Sequence, residues 1–149
     1  QQDAAYPIQQ LVEIALRALS PGVNEPFTAL ACIDRLGSSL QSVARRRIPS
    51  PLRRDQNGVL RIVAHPVTFD ELAKNAFAPI RLYGKTNPEI SVRLLDAIGD
   101  LAPHLWREDD FESLIEHAER IAHDAKSALD SLDGERIQKH LEKALRALA

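Results

Sequence analysis

The sequence predicts an all-α fold, with about six helices in a compact bundle and one β-hairpin inserted at about residues 52–64. Apolar residues return at spacings of three and four along most of the chain, which is the period of one helix face. Pro, Gly, Asn and Ser cluster between those stretches and cut them to helical lengths. Only the run Val59 to Ala64 reads as a strand, and it follows an Asn57-Gly58 turn. At 149 residues the chain is one domain's worth, enough to bury roughly two-thirds of its unfolded surface.

The first helix is expected from about Pro7 to Leu19, on the spacing of Ile8, Leu11, Val12, Ala15, Leu16 and Leu19. Ser20-Pro21-Gly22 stops it. Asn24 or Glu25 then caps a second helix, with Pro26 in the first turn, where its missing donor costs nothing. That helix runs to about Ala44. Phe27, Leu30, Ile33, Leu36, Leu40 and Val43 mark one face, while Ala29, Ala31, Cys32 and Gly37 keep the other sides small. A helix apolar nearly all round belongs at the centre of a bundle, so this one is expected to be the core helix.

From Arg45 to Pro66 the pattern changes. Pro49, Pro51 and Pro66 bracket the segment, and Asn57-Gly58 supplies the positive φ values of a tight turn between about Leu52–Asp55 and Val59–Ala64. A lone hairpin is marginal in water and is expected to lean on the helices. Thr68-Phe69-Asp70-Glu71 fits a capping box and opens a third helix through Leu72, Ala76, Phe77, Ile80 and Tyr83. Gly84 is its expected stop and Pro79 an expected kink near Asn75. Asn87-Pro88-Glu89 opens a fourth helix with Leu94, Leu95, Ile98 and Leu101, ended by Pro103. The acidic start Glu108-Asp109-Asp110 suits a fifth, whose stripe is Phe111, Ile115, Ala118, Ala122, Ala125, Leu129 and Leu132. Asp133-Gly134 is read as the turn into a sixth helix bearing Ile137, Leu141, Ala144, Leu145 and Leu148, giving an antiparallel helical pair.

Composition narrows the function classes. Apolar residues are 44% and charged residues 27%, an ordinary water-compatible balance. Nineteen basic against twenty-one acidic side chains give a net charge of −2, and aromatic residues are 5%, so neither an electrostatic footprint nor a stacking platform for nucleic acid is present. The one cysteine, Cys32, cannot form an internal disulfide or a Cys-based zinc site. No apolar run approaches the roughly 20 residues of a spanning helix. The sequence starts at Gln1 and contains no methionine, which predicts a piece of a longer chain.

One stretch is specific. Ala18-Leu19-Ser20-Pro21-Gly22-Val23-Asn24-Glu25-Pro26-Phe27-Thr28-Ala29, followed by Cys32-Ile33-Asp34-Arg35-Leu36, resembles the signature of a family of predicted bacterial integral membrane proteins with no assigned activity. Gln2-Asp3 and Gln10 to Ala15 match its lead-in, and Thr68-Phe69 and Arg81 to Gly84 match later landmarks, so the likeness covers about Gln1 to Leu101. Glu25 stands where the family more often has Asp, and Pro79 where it has a polar helix former. The resemblance implies several transmembrane helices N-terminal to a C-terminal extramembrane module. It implies a place at the bacterial inner membrane, on the cytoplasmic side.

Candidate sites follow from residue type and spacing. Ser20, Asn24, Glu25 and Thr28 gather at a helix N-terminus, where free backbone N–H groups can hold an anion. The plainer alternative is that Ser20 and Asn24 only turn and cap a corner, and the Glu25 carboxylate argues against an anion. Asp34 and Arg35 are the only charges between Phe27 and Ala44, and a carboxylate there needs a partner or a cleft. Cys32, mid-helix among apolar residues, reads as a small core hydrophobe. Glu112, Glu116, Glu119 and His123 align at i, i+4, i+7 and i+11, but a di-iron bundle needs Glu-x-x-His on two helices, so the stripe reads as a solvated face. No metal or cofactor is expected. Phosphate-binding glycine loops, nucleophile elbows and paired catalytic carboxylates are missing from the sequence, so an enzyme is not predicted.

A charge asymmetry remains. Arg45, Arg46, Arg47, Arg53, Arg54 and Arg61 against Asp55 give +5 between Arg45 and His65, whereas residues 101–149 carry seven bases and eleven acids. The basic ribbon can pair with that acidic part, with a neighbouring subunit or with anionic lipid headgroups, or it can be simply solvated. The expected function is therefore structural or regulatory, through assembly, gating or sensing. The expected partners are the protein's own transmembrane region, lipid headgroups and further copies of itself. The alternative is a small-molecule or ion-binding domain using the Asn24–Thr28 corner and Asp34.

Overall fold

Helix starts are where local chemistry speaks most clearly. Thr68 accepts a hydrogen bond from the Glu71 N–H at 3.2 Å while the Glu71 carboxylate accepts from the Thr68 N–H at 2.9 Å, the expected capping box. Asn87 caps the next helix through the Glu89 N–H at 3.0 Å. These details come from a computed structural model that describes residues 4–47 and 51–149; Gln2, Asp3 and Pro49 lie outside the described residues. The helices are α1 (Ala5–Leu19), α2 (Pro26–Ala44), α3 (Phe69–Gly84), α4 (Pro88–Leu101), α5 (Glu108–Ala128) and α6 (Ser131–Leu148). A 3₁₀ turn spans Ala102–His104, and β1 (Leu52–Arg54) pairs antiparallel with β2 (Leu60–Val63). The fold is all-α with one hairpin, as the sequence predicts.

The centre belongs to α4, not to α2. Helix α4 packs against α2, α3, α5 and α6 and buries Ile90, Ser91, Val92, Leu94, Leu95, Ala97, Ile98 and Leu101. Helix α2 lies against α1 and α4 and presents Phe27, Ala31, Asp34, Arg35, Ser38 and Ser42 outward. Of the small residues expected around it, Ala29, Cys32 and Gly37 are buried and Ala31 is exposed. Phe27, expected on the core face, is 84% exposed. The core is carried instead by Phe69, Phe77, Ile33, Leu36, Leu40, Ile80 and the α4 residues.

Further expectations are corrected at the helix ends and in the hairpin. Helix α3 ends at Gly84, where the sequence places its stop, but Lys85 follows in right-handed helical geometry, so no left-handed glycine cap forms; Pro79 lies inside the helix, flanked by buried Ala76, Phe77 and Ile80. The turn into α6 is Leu129–Asp130 rather than Asp133-Gly134. There the Asp130 carboxylate accepts from the Asp133 N–H at 2.9 Å and caps the helix. The expected stripe of α5 holds, with Ala118, Ala122 and Ala125 buried and Phe111, Ile115 and Leu129 partly buried against the core; Leu114 and Ile121 widen the buried face, and Leu132 alone of the stripe is exposed. The hairpin does not lean on the bundle either. Every residue of both strands is exposed, and the turn is held by Asp55, whose carboxylate accepts from the Asn57 and Val59 N–H groups and the Arg61 guanidinium. These donors hold the Asp55 carboxyl below its ordinary range, with Arg61 contributing most.

Candidate functional site

The Ser20–Thr28 corner closes on its own backbone. The Ser20 hydroxyl donates to the Arg17 carbonyl at 2.7 Å, the Asn24 N–H to the Ser20 carbonyl at 2.9 Å and the Glu25 N–H to the Ala18 carbonyl at 2.8 Å. Thr28 donates to the Glu25 carboxylate at 3.4 Å. Glu25 occupies the N-cap position of α2 without a side-chain cap bond. Asn24 adopts φ +49°, the left-handed region that Asn tolerates better than other side chains. Its requirement is thus a backbone conformation, and capping is not its role. Asn24→Gly should therefore melt within about 0.5 kcal/mol of the parent, whereas β-branched Asn24→Val should lose about 1–3 kcal/mol. Equal melting of the two variants would show that the corner carries no such constraint.

Asp34 finds its partner across the bundle, where Arg93 of α4 donates to it at 2.6 Å. Asp34 and Arg35 also line an open groove of about 600 Å³ between α1 and α2, together with Gln10, Leu11, Ser38 and Ser39. Ser20, Asn24, Glu25 and Thr28 are not among its lining residues. The corner thus does not contribute to this groove. Cys32 is buried, and burial raises its thiol pKa, the opposite of an activated nucleophile. Glu112, Glu116, Glu119 and His123 are not buried on α5, and among the described residues no group of three or more His, Cys, Asp or Glu converges on a metal-sized site.

A polar seam that the sequence does not flag joins α3 to α5. Ser113 donates to Asp70 at one end and Arg81 pairs with Asp124 at the other. Between them His117 stands edge-on to Phe77, with ring centroids 6.2 Å apart. Burial pushes the His117 pKa below the ordinary 6.5, and the carboxylates of Asp70 and Glu116 only partly oppose it. The folded state thus favours neutral imidazole. The contribution is complete above the unfolded value and is lost as pH falls below about 6.5 toward the folded value, because the unfolded chain then binds the extra proton. Between about pH 7.5 and about pH 5, the parent should lose more melting temperature than His117→Gln. Parallel pH profiles for the two would count against a buried neutral ring.

At the far end of α2 the basic residues acquire neighbours that are distant in sequence. Arg45 donates to His104 Nδ1 from both Nε (3.1 Å) and Nη2 (2.8 Å). The Trp106 indole N–H donates to the Ala44 carbonyl at 3.0 Å. Arg107 lies over the Trp106 ring, 5.2 Å from its centroid, and is held by buried Asp110 at 2.9 Å. Arg46, Arg47, Arg53, Arg54 and Arg61 are exposed, Arg54 donating to the Gly58 carbonyl and Arg61 to Asp55. The available signal for this cluster is the single tryptophan of the chain, but nothing local ties it to Ala44.

Comparison with known proteins returns one family model, described as "Predicted membrane protein (DUF2254)", which matches residues 1–100. Uncharacterized protein Rv1290c of Mycobacterium tuberculosis (strain ATCC 25618 / H37Rv) is 35% identical over 102 residues, covering 68% of this chain and 20% of that protein. Uncharacterized protein Mb1321c of Mycobacterium bovis is similar to the same extent, 35% over 102 residues. The match thus takes in about a fifth of the length of these curated relatives, at 20%. No solved structure matches.

Proposed function

The chain belongs to this family of predicted membrane proteins, and from that premise we propose that it is an extramembrane structural or regulatory module of a longer membrane protein, acting in assembly, gating or sensing. One observation carries the reading: a member of a membrane-protein family contains, among its described residues, no helix long and apolar enough to cross a membrane. Several candidate binding side chains are engaged internally, Asp34 by Arg93, Ser20 by the Arg17 carbonyl and Thr28 by the Glu25 carboxylate. Tyr6, Ile14 and Phe27 are 61%, 48% and 84% exposed on α1 and α2, a surface suited to contact with the membrane part or with another copy. Assembly is the role this surface favours.

The test is the oligomeric mass of the full-length protein in nanodiscs, with and without this segment and with Phe27→Ser plus Ile14→Ser. Loss of the oligomer in the truncated and doubly substituted proteins is expected. An unchanged mass and an unchanged cellular phenotype after deletion would reject the module's role. The cytoplasmic side is proposed with it. A cysteine introduced at exposed Ser127 should react with a membrane-impermeant maleimide only after lysis, and labelling of intact cells would reverse the assignment.

A further inference from the structure

We propose that the hairpin end of the bundle docks on the surface of an anionic lipid bilayer, with hairpin aliphatic side chains entering the headgroup region between arginines that bind lipid phosphate. The inference rests on the membrane-module reading above and adds to it a partner and an orientation.

Three observations converge. First, the hairpin carries apolar surface that its own fold does not use. Leu52, Val59, Leu60, Ile62 and Val63 are 45–57% exposed, although β-branched and leucine side chains in a folded domain normally pack on something. The register pairs Leu52 with Val63 and Arg54 with Leu60, while Arg53 pairs with Ile62. Cross-strand partners point to the same side, so each face of the ribbon offers aliphatic and guanidinium groups together. That mixture suits the bilayer interface, where arginine stems lie along apolar surface and their heads reach phosphate.

Second, the charge is complementary to an anionic leaflet. Six arginines face one aspartate between Arg45 and His65, and that aspartate is already paired with Arg61. The carboxylates at this end are largely engaged, Glu71 by the Thr68 N–H and Asp110 by Arg107, which leaves Glu108 and Asp109 as exposed acids against the arginines. Three acids of α5, Asp124, Asp110 and Glu116, pair with Arg81, Arg107 and Arg120 rather than with the ribbon.

Third, tertiary structure brings an interfacial aromatic to the end of α2, beside residues 45–47. Trp106, 62 positions from Ala44, is tied to the end of α2 by its indole N–H and remains 57% exposed. Arg107, fixed by Asp110, holds its ring. Tryptophan with one bonded polar edge and an open ring is the residue type favoured at headgroup depth. The start of α1 lies here too, since Tyr6 and Ala4 share a groove with Val43 and Arg46. In the proposed membrane protein, chain leading in from a transmembrane region would therefore enter at the docked end.

Trp106 is the only tryptophan in the chain and serves as the reporter. The chain is titrated with vesicles of phosphatidylcholine containing about a third phosphatidylglycerol, and with pure phosphatidylcholine, at low salt and at about 0.5 M salt. With the anionic vesicles the Trp106 emission should shift to the blue and be quenched by brominated lipid. Neutral vesicles or high salt should abolish most of the shift. Each exposed arginine contributes about 1 kcal/mol near an anionic leaflet, or about five-fold, so Arg46→Gln with Arg47→Gln should weaken partitioning about twenty-five-fold. Ile62→Asp should lose the blue shift while retaining the helical circular dichroism of the parent, because the bundle core uses nothing from the hairpin. Absence of binding by the folded parent, equal binding to neutral vesicles, or indifference to the arginine substitutions would each overturn the proposal. So would salt-sensitive self-association through the same residues, which would assign the ribbon to the acidic face of a second copy. None of these outcomes depends on the oligomer of the full-length protein, whose mass tests the module reading separately.

Discussion

Phe77→Ala should destabilise the folded chain by about 3–5 kcal/mol, the range for truncating a buried aromatic, whereas Phe27→Ala should change its stability by less than about 0.5 kcal/mol. The two residues are the same type and both lie on apolar helix patterns, so the contrast isolates the environment. Phe77 is fully buried in α3 and meets the edge of His117; its removal leaves a cavity bounded by a seam whose ends are pinned by Asp70–Ser113 and Arg81–Asp124. Such a site collapses poorly, which places the cost toward the upper end. Phe27 is 84% exposed at the start of α2 and loses almost no contact on truncation. For a chain of this length about 1 kcal/mol moves the midpoint by roughly 2–4 °C, so the buried variant should melt about 10 °C lower and the exposed one unchanged. Thermal melts followed by circular dichroism decide it. A loss of more than about 2 kcal/mol at Phe27 would mean that it packs in the isolated chain, and would remove it from the assembly surface.

The legible parts of this fold are those governed by residues close together in sequence. Thr68 with Glu71, Asn87 with Glu89, and the Asn57-Gly58 turn between two short strands each act over a span of a few residues and lie where local chemistry predicts, although in the turn only Gly58, at φ +77°, takes a positive φ and Asn57 does not. Asp130 is legible on the same terms, since a carboxylate three residues before the N–H it caps is a local pattern; Asp133-Gly134 masks it because glycine is a louder signal than a cap. Burial is less legible. The outer side of α2 carries Ala31, Ser38 and Ser42, all small enough to look internal, and only the packing of α4 against four helices shows where the centre is. For the candidate site the distance is larger still. Asp34 meets Arg93 across 59 positions and Trp106 meets Ala44 across 62, and no period or spacing encodes either pair. Composition could say that Asp34 needs a partner and that the arginine ribbon needs a counter-charge. Naming those partners required the fold.

Gly84 is the position where a single added methyl group should do most for its size. Its role is neither turn nor cap: a Cβ built there would lie 2.4 Å from Ile90 Cγ2 and 3.2 Å from Ile90 Cβ. Ile90 is fully buried at the start of α4 and β-branched, so it has one preferred rotamer in a helix and nowhere to retreat. Leu19 Cδ1 closes the other side at 3.6 Å. Alanine is worth up to about 1 kcal/mol more than glycine inside a helix, but overpacking of this kind costs about 1–3 kcal/mol, and the clash should win. Gly84→Ala should therefore lower stability by about 1–2 kcal/mol, and Gly84→Val, which adds two more methyl groups, by more than about 3 kcal/mol. The decisive measurement is the same substitution in an Ile90→Ala background. Removing Ile90 Cγ2 costs stability by itself through a cavity next to α3, but it also vacates the space that the new Cβ needs. In that background Gly84→Ala should become neutral or stabilising, reversing its sign, with a coupling energy of about 2 kcal/mol from the double-mutant cycle. Additive effects would mean that the close approach of α3 to α4 is not what glycine provides, and that its loss acts through the backbone of the α3 terminus instead.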